Sequence, residues 1–569
     1  MSALRCAALF VLAAAAGCSS TPAASDAVPA VTPTAAVNTA GKGESELMMA
    51  AETSLREGNC RAAAENYLGA AKVSSEANVA MRASQLALGC NQLGTARTAT
   101  ARWRELDAYN GDAALAAALV ALKRYDLAEA RSALTAWRDS GSAGSQDPLQ
   151  FAALLERESD ATALYRIFGA VLVGEEPTAE VLLAQARLAL SAQNMQVAIQ
   201  AAQKALAVNS DVLEAQTIVL RALSVQGEHN AAIAGVRALD PESLQGEDAF
   251  LLADLLSAAN RNDEAQRELL RLAAADATRL GAERRLIGLA ISEGDLDGAE
   301  KRLLPLMGEK GSTAMAVLFM AQLAERRGDD ERAVQSYALL ADSSLALAAR
   351  SAAARIMLKR GDQKSALALL DDYVEQNPDA TIEVGAARAQ LLAQAGDIDG
   401  ALKGLDALRV QYPDYPDLEY QRATVLETGG RTSAAVAQFE RALKLRPDDP
   451  QLQNALGFTL ADHKLRLPRA EQLVRAALDV SPDNPAIQDS MGWVLFRRGK
   501  SAAALPILLR AWQNSSDAEI AAHYGEVLWR TGDEGQARYV WQQALNSNPQ
   551  HKNLMATMAR LTGEDVAAR

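Results

Sequence analysis

The residues best suited to chemistry in this chain are few and scattered, with four histidines and four cysteines among 569 residues. A zinc site needs several such ligands at short spacing, but CxxC, HExxH and the phosphate-binding pattern GxxxxGK[ST] are all missing from the sequence. His229, His463 and His551 fall in predicted turns or beyond the last predicted repeat, and His523 stands alone in a predicted helix. We therefore expect no enzyme activity, no metal and no cofactor.

The first 17 residues have the pattern of a secretory signal. A short segment with one positive charge, Arg5, precedes the apolar run Ala7–Ala16, which is too short to span a bilayer. The small residues Ala15-Ala16-Gly17 then stand directly before Cys18. This arrangement resembles a bacterial lipobox, in which the cysteine is acylated and becomes the first residue of the mature protein.

Two signal-peptidase cleavages remain open for this segment. Leu is usual three residues before a lipobox cysteine, and here that residue is Ala15. The pattern Ala13-x-Ala15 also suits the ordinary signal peptidase, which would release a soluble periplasmic protein. We expect lipidation of Cys18, and by the same resemblance Ser19, in place of Asp, favours transport to the outer membrane and anchoring on its periplasmic face.

A two-helix repeat positions the remaining residues. The clearest unit, counted from Pro416, has small residues at positions 8, 20 and 27, Leu at 11, an aromatic residue at 24 and Pro at 32: Ala423, Ala435, Ala442, Leu426, Phe439 and Pro447. This is the pattern of the tetratricopeptide repeat (TPR), in which small residues let two helices approach closely.

The position-20 residue recurs along the chain at a mean spacing of about 34 residues, which is the TPR period. The fifteen anchors are Ala63, Ala99, Ala130, Leu164, Ala198, Ala232, Ala265, Ala299, Ala333, Ala366, Ala401, Ala435, Ala470, Ala504 and Ala537. Glycine occupies most of the turns between the two helices of a repeat, where a left-handed conformation is needed. The sequence predicts an all-α TPR superhelical solenoid of about 15 helix-turn-helix repeats.

The register divides the chain into segments. After the signal at 1–17, the anchor and an Ala-, Thr-, Pro- and Ser-rich disordered linker occupy 18–45. TPR-like repeats fill 46–140, an irregular helical joint 141–178, and the main TPR array 179–549, followed by a capping helix and tail at 550–569. We expect a linear array that does not fold back on itself.

Cys60 and Cys90 are the cysteines that remain after Cys6 is removed with the signal and Cys18 is lipidated. Cys60 opens the second helix of the first repeat, and Cys90 ends the first helix of the second repeat. Stacked repeats place both at the same edge, so a disulfide is possible in an oxidising compartment. The alternative is a pair of inert buried thiols.

Protein binding is expected in the groove of the last four repeats. TPR arrays present positions 2, 5, 9, 12 and 13 of their first helices to this groove, and these positions are rich in aromatic and charged residues: Tyr420, Asn454, Phe458, Asp489, Trp493, Phe496, Arg497, Glu526, Trp529 and Arg530. For Trp493 and Trp529 the sequence leaves binding and packing open. The net charge of −14, without a basic stripe, argues against nucleic acid as a partner.

Three C-terminal segments carry a more specific resemblance: Asn454-Ala-Leu-Gly-Phe-Thr-Leu-Ala-Asp, Gln488-Asp-Ser-Met-Gly-Trp-Val and Glu519-Ile-Ala-Ala-His-Tyr-Gly-Glu-Val-Leu-Trp. With the signal, linker and repeats, they resemble the TPR-rich outer-membrane lipoproteins that act as adaptors for periplasmic carboxyl-terminal processing proteases. That resemblance implies a scaffold that binds the protease and its cell-wall hydrolase substrates. The alternative is a TPR lipoprotein that assembles a secretion, pilus or exopolysaccharide-export complex.

Overall fold

The computed structural model describes residues 39, 41–140, 152, 153, 155, 161–172, 177–309, 313–413, 415, 417–515, 517–548 and 551–563. The signal, Cys18, most of the linker and much of the joint at 141–178 lie outside these residues. The part of the chain that is described is helical and contains no strand. None of its helices combines the length and the apolar character needed to cross a bilayer.

The helices are α1 (Glu44–Arg56), α2 (Cys60–Val73), α3 (Ala77–Gly89), α4 (Leu93–Leu106), α5 (Gly111–Lys123), α6 (Leu127–Asp139), α7 (Ala161–Leu172), α8 (Ala179–Ser191), α9 (Met195–Val208), α10 (Leu213–Val225), α11 (His229–Ala238), α12 (Leu251–Ala258), α13 (Asn262–Ala273), α14 (Asp276–Glu293), α15 (Leu296–Leu303), α16 (Thr313–Arg326), α17 (Asp330–Ala338), α18 (Ala346–Lys359), α19 (Gln363–Gln376), α20 (Thr381–Gln394), α21 (Ile398–Gln411), α22 (Asp417–Thr428), α23 (Thr432–Leu445), α24 (Pro450–Asp462), α25 (Leu467–Val480), α26 (Pro485–Arg497), α27 (Ser501–Asn514), α28 (Ala518–Thr531), α29 (Glu534–Ser547) and α30 (Lys552–Thr562). Short 3-10 segments occur at Gly246–Phe250, Leu304–Gly308 and Pro378–Ala380.

These helices pair in the predicted register, and the prediction of an all-α TPR solenoid is confirmed. Each of the fifteen anchors, from Ala63 to Ala537, has a relative exposure of 0%. Fourteen of the anchors are alanines, because the first and second helices of a repeat approach each other closely there and a larger side chain would push them apart. The fourth repeat has Leu164 at this position. In the fourth repeat only residues 152, 153 and 155 of the first helix are described, together with the whole of α7.

In the fourteen repeats whose turn is described, the turn between the first and the second helix contains a residue with positive φ. Nine of these residues are glycines: Gly58, Gly227, Gly294, Gly328, Gly361, Gly396, Gly430, Gly499 and Gly532. Asn91, Tyr125, Gln193, Asn260 and Lys464 take the same conformation in the other five, with φ between 54° and 57°. A left-handed residue is therefore part of the repeat even where the sequence lacks Gly.

The two ends of the array differ slightly from the predicted boundaries. Helix α1 begins at Glu44, so the last two residues assigned to the linker lie in the first helix. At the other end α30 packs on α28, and its Leu554 is fully buried. Gly563 ends α30 in a left-handed conformation.

The expectation of an array that does not fold back on itself is wrong. Residues in or just before the second helices of N-terminal repeats contact the end of α21 and the loop before α24, 282 to 349 residues later, or roughly eight to ten repeats further along. Arg61 donates to the Val410 carbonyl, Gln92 to the Gln411 carbonyl over 3.2 Å, and Arg166 to the Asp448 carbonyl over 2.6 Å. A constant rotation between repeats winds the solenoid into a superhelix, and here successive turns of that superhelix touch.

The best-connected point of this inter-turn contact is Asp483. Its Oδ2 accepts a hydrogen bond of 2.8 Å from the Met195 amide, and its own amide donates to the Gln193 carbonyl over 3.1 Å. Its other carboxylate oxygen pairs with Arg510. The Asp483 side chain is only 3% exposed, so the two turns exclude water around it.

Candidate protein-binding surface

The first helices of the last four repeats, α22, α24, α26 and α28, form the inner side of the superhelix in this region. Helix α24 packs on α26, α26 on α28 and α28 on α30, while contacts between successive second helices are weaker. A curved stack brings its elements closest together on the concave side. Side chains on these first helices therefore face the groove or fill the seams between neighbouring repeats.

A cluster of rings lies at the centre of this surface, formed by Phe458, Trp493, Phe496 and His523. The His523 ring stacks on Trp493 with centroids 4.2 Å apart, and Phe458 approaches it at 5.7 Å. Phe496 lies 5.4 Å from Trp493, whose face also contacts the Arg497 guanidinium at 4.6 Å. Cation–π and offset ring contacts of this kind stabilise the geometry of the cluster.

Polar bonds between repeats fix the same cluster. The Trp493 indole donates to Asp462 Oδ1 over 3.1 Å, and Arg497 donates to the Asp462 carbonyl over 2.5 Å. His523 Nδ1 lies 2.8 Å from Asp489 Oδ2. Burial alone would lower the pKa of His523, but the charge and hydrogen bond of Asp489, together with the charges of Glu519 and Asp462, raise it above its usual value.

The predicted groove residues divide by exposure. Trp493, Asp489 and Glu526 are 4%, 5% and 5% exposed, so their side chains pack mainly between neighbouring helices. Asn454, Phe458, Phe496, Arg497 and Trp529 are partly exposed, and Arg530 is exposed. The partly exposed rings of Phe458 and Phe496 therefore offer apolar area to a partner, while the buried Trp493 packs against Phe496 and holds its position.

Tyr420, Glu526 and Trp529 lie outside the ring cluster. Tyr420 packs edge-on against Phe439 and lines a cavity of about 430 Å³ between the two turns of the superhelix. Glu526 pairs with Arg560 of α30 at 2.5 Å, which ties the last helix to the array. Trp529 stacks on the buried Trp541 at 5.7 Å.

His523, Asp462 and Glu427 also belong to this surface, although their positions in the sequence did not predict it. His523 pairs with a residue 34 positions earlier, and Arg497 with one 35 positions earlier. One repeat period places two residues side by side on neighbouring first helices, so a search for opposite charges at this spacing would have found these pairs. Glu427 likewise accepts a hydrogen bond of 2.6 Å from Thr459, 32 residues later.

The cysteine pair lies at the opposite end of the array. Cys60 at the start of α2 and Cys90 after α3 have Cα atoms 5.6 Å apart, with their sulfurs at bonding distance. The bond would link the first two repeats at the edge that carries their turns. Its formation in the cell stays a prediction. Within the described ranges, no three His, Cys, Asp or Glu residues converge as metal ligands would.

Comparisons with known proteins identify the repeat directly. The model of the family described as tetratricopeptide repeat matches residues 386–450 and 420–485, which cover α21 to α25 and part of α20. A TPR repeat-containing protein of Pseudomonas aeruginosa, PA4667, is 30% identical over 211 residues, or 36% of this chain. The alignment spans 35% of that relative's own length, or about a third.

Solved structures give the same kind of match. Yeast Tom70 aligns over 92% of this chain and 96% of its own, with 13% identity and a TM-score of 0.37. A tetratricopeptide repeat protein from Parabacteroides merdae aligns over 45% of this chain and all of its own, with 15% identity and a TM-score of 0.33. The TPR repeats that the family model matches imply a scaffold for protein–protein interaction.

Proposed function

We propose that this chain is an outer-membrane lipoprotein scaffold that binds a periplasmic carboxyl-terminal processing protease and its cell-wall hydrolase substrates, and so promotes their proteolysis. The resemblance of the last three repeats to such adaptors, together with the signal and Cys18, supports the proposal. The similarity to a Pseudomonas aeruginosa TPR protein is compatible with it.

The single observation that carries a binding function is the partly exposed ring cluster on the inner face of the last four repeats. Phe458 and Phe496 stand beside a rigid support of Trp493, His523 and Arg497. Aromatic residues and Arg held rigidly in this way are typical of binding hot spots, because little side-chain entropy is lost when a partner docks.

A scaffold of this kind acts through effective concentration. Two proteins bound to one array meet as though each were present at millimolar concentration, even if their mutual affinity is weak. The superhelix has a long inner surface beyond the ring cluster, so a protease and a substrate can occupy different repeats. Anchoring through Cys18 would confine the encounter to the membrane where the cell-wall substrates lie.

Affinity purification of the full-length, lipidated protein in detergent tests the proposal, with mass spectrometry of the bound proteins. We expect a processing protease and cell-wall hydrolases, and the one that binds the ring cluster should be depleted at least tenfold by Phe458→Ala with Phe496→Ala, because most interface energy resides in a few central residues. Tyr539→Ala is the matched control, since Tyr539 is 57% exposed on α29. Recovery of pilus, secretion or export components without a protease would contradict the adaptor function and support the alternative of an assembly scaffold.

A further inference from the structure

Four carboxylates, one from each of the last four repeats, lie along the inner face, where their charges act on one another or on His523. They are Glu427 of α22, Asp462 of α24, Asp489 of α26 and Glu519 of α28. Burial raises the pKa of Glu427; the Thr459 hydroxyl and His463 oppose this rise, and the charges of Asp462 and Glu519 add to it. The same two carboxylates act on His523. Residues more than 90 positions apart in sequence thus share one electrostatic surface.

Cations on the described part of the chain balance only half of this charge. Arg497 pairs with Asp462 at 3.3 Å, and His523 pairs with Asp489. Glu427 has the Thr459 hydroxyl as its hydrogen-bond donor, and Glu519 the Asn553 amide at 3.5 Å, and neither forms an ion pair with a described residue. Two carboxylates therefore keep an unneutralised charge beside the ring cluster.

A second observation points to a ligand at this place. The Asp489 side chain is 8% exposed, and its Oδ1 has no hydrogen-bond partner among the described residues. A buried charged oxygen without a partner costs free energy. A hydrogen-bond donor from a partner protein would remove that cost. Glu427 and Asp462 lie on the same surface and are partly exposed, so they could bind the same partner.

The groove-facing positions of the last four repeats contain six carboxylates, Asp417, Glu427, Asp462, Asp489, Glu519 and Glu526, against two cations, Arg497 and Arg530. Asp417 and Glu526 pair with Arg446 and Arg560, which lie outside these positions, so the charge without an ion pair among the described residues is that of Glu427 and Glu519. Like charges held together repel one another, and they increase the association rate of a partner of opposite charge. The neighbouring rings of Phe458 and Phe496 add an apolar area, so the complementary segment is amphipathic.

We infer that the inner face of the last four repeats binds a positively charged amphipathic segment of a partner protein, with Lys or Arg side chains beside Glu427, Asp462 and Glu519 and an apolar side chain against Phe458 and Phe496. The inference rests on the proposed scaffold function and specifies what the scaffold recognises. An extended strand or a helix could present such side chains.

Fluorescence anisotropy with three labelled 15-residue peptides, of alternating Lys and Leu, Glu and Leu, or Lys and Ser, tests the inference on the full chain. We expect the Lys–Leu peptide to bind at least tenfold more tightly than either other peptide, with an affinity that falls as salt rises. The triple variant Glu427→Gln, Asp462→Asn and Glu519→Gln should weaken it at least tenfold. These amides keep the hydrogen bonds from Thr459 and Trp493.

The matched control changes the same charge on second helices outside the groove, with Asp263→Asn, Glu375→Gln and Glu534→Gln, which are exposed and form no ion pair with a described residue. It should bind like the wild type, and thermal unfolding should show that both triple variants are folded. Equal binding of Lys–Leu and Glu–Leu peptides, or equal loss in both triple variants, would overturn the inference while leaving a protease bound elsewhere intact. A selective Lys–Leu site with no protease recovered from cells would reject the adaptor role alone.

Discussion

Replacing Asp483 with Ala should open the contact between the two turns of the superhelix. The wild-type carboxylate reaches across to the first residue of α9 and accepts from the Met195 amide over 2.8 Å. An amide in the first turn of a helix has no acceptor within its own helix, so the hydrogen bond to Asp483 is what protects the Met195 amide from hydrogen exchange. The variant removes that acceptor without touching any residue of α9.

The size of the effect follows from the burial of the carboxylate. A hydrogen bond to a charged group contributes about 1.5–3 kcal/mol, and Asp483 is shielded from water at 3% exposure. Its loss should speed exchange of the Met195 amide by about 10- to 100-fold, since roughly 1.4 kcal/mol corresponds to a factor of ten. The second bond, from the Asp483 amide to the Gln193 carbonyl, remains possible and limits the opening.

Hydrogen–deuterium exchange of peptides spanning Met195 measures this directly, and small-angle scattering reports any increase in the radius of gyration. Asp448→Ala is the control at the equivalent position one repeat earlier. Its carboxylate lies 3.8 Å from Arg166 and is 58% exposed, so its removal should change neither readout, because surface ion pairs contribute little. Identical exchange at Met195 in the wild type and in Asp483→Ala would refute the closure in solution.

Three further predictions concern single positions. Lys464→Gly should raise the free energy of unfolding by about 1 kcal/mol, measured by denaturant titration, because Lys464 has a φ of 55° that glycine adopts without strain. Reducing the Cys60–Cys90 bond, which closes a separation of 30 residues, should destabilise the first two repeats by up to about 3.5 kcal/mol; unchanged exchange of α1–α4 under reductant would contradict this. His523 has a raised pKa beside Asp489, so its stabilisation is complete below the unfolded pKa of about 6.5 and disappears as pH rises through the folded pKa. Thermal unfolding of His523→Gln should therefore show a shallower decline over that range than the wild type.

The register of the array could be predicted from sequence because it depends on contacts within about 34 residues. Position 20 is buried between the two helices in each of the fifteen repeats and is alanine in fourteen of them, so each anchor reports on its own repeat. The aromatic residue at position 24 of the clearest repeat, Phe439, is likewise buried, with an exposure of 1%. Such positions depend on local geometry, which the sequence repeats many times over.

The closure of the superhelix could not be predicted in this way. It depends on a small rotation per repeat summed over eight or more repeats, so minor differences in packing decide whether two turns meet. The ring cluster was predicted in part, since Phe458, Trp493 and Phe496 follow from the repeat positions. Its polar half was missed because Asp462 and His523 acquire partners only when neighbouring repeats are compared at the repeat spacing.

The residue type at the left-handed position of the inter-helix turns nevertheless indicates where two turns of the superhelix make contact. A side chain at the left-handed turn position costs about 1 kcal/mol or more relative to glycine, and nine of the described turns use glycine there. Asn91 and Tyr125 instead line the cavity between the two superhelical turns, and the Gln193 carbonyl accepts from Asp483. Tyr125 is only 5% exposed, so contacts with the facing repeats offset the strain of its backbone. A run of repeats that lack glycine at this position therefore indicates an edge covered by a later part of the same array.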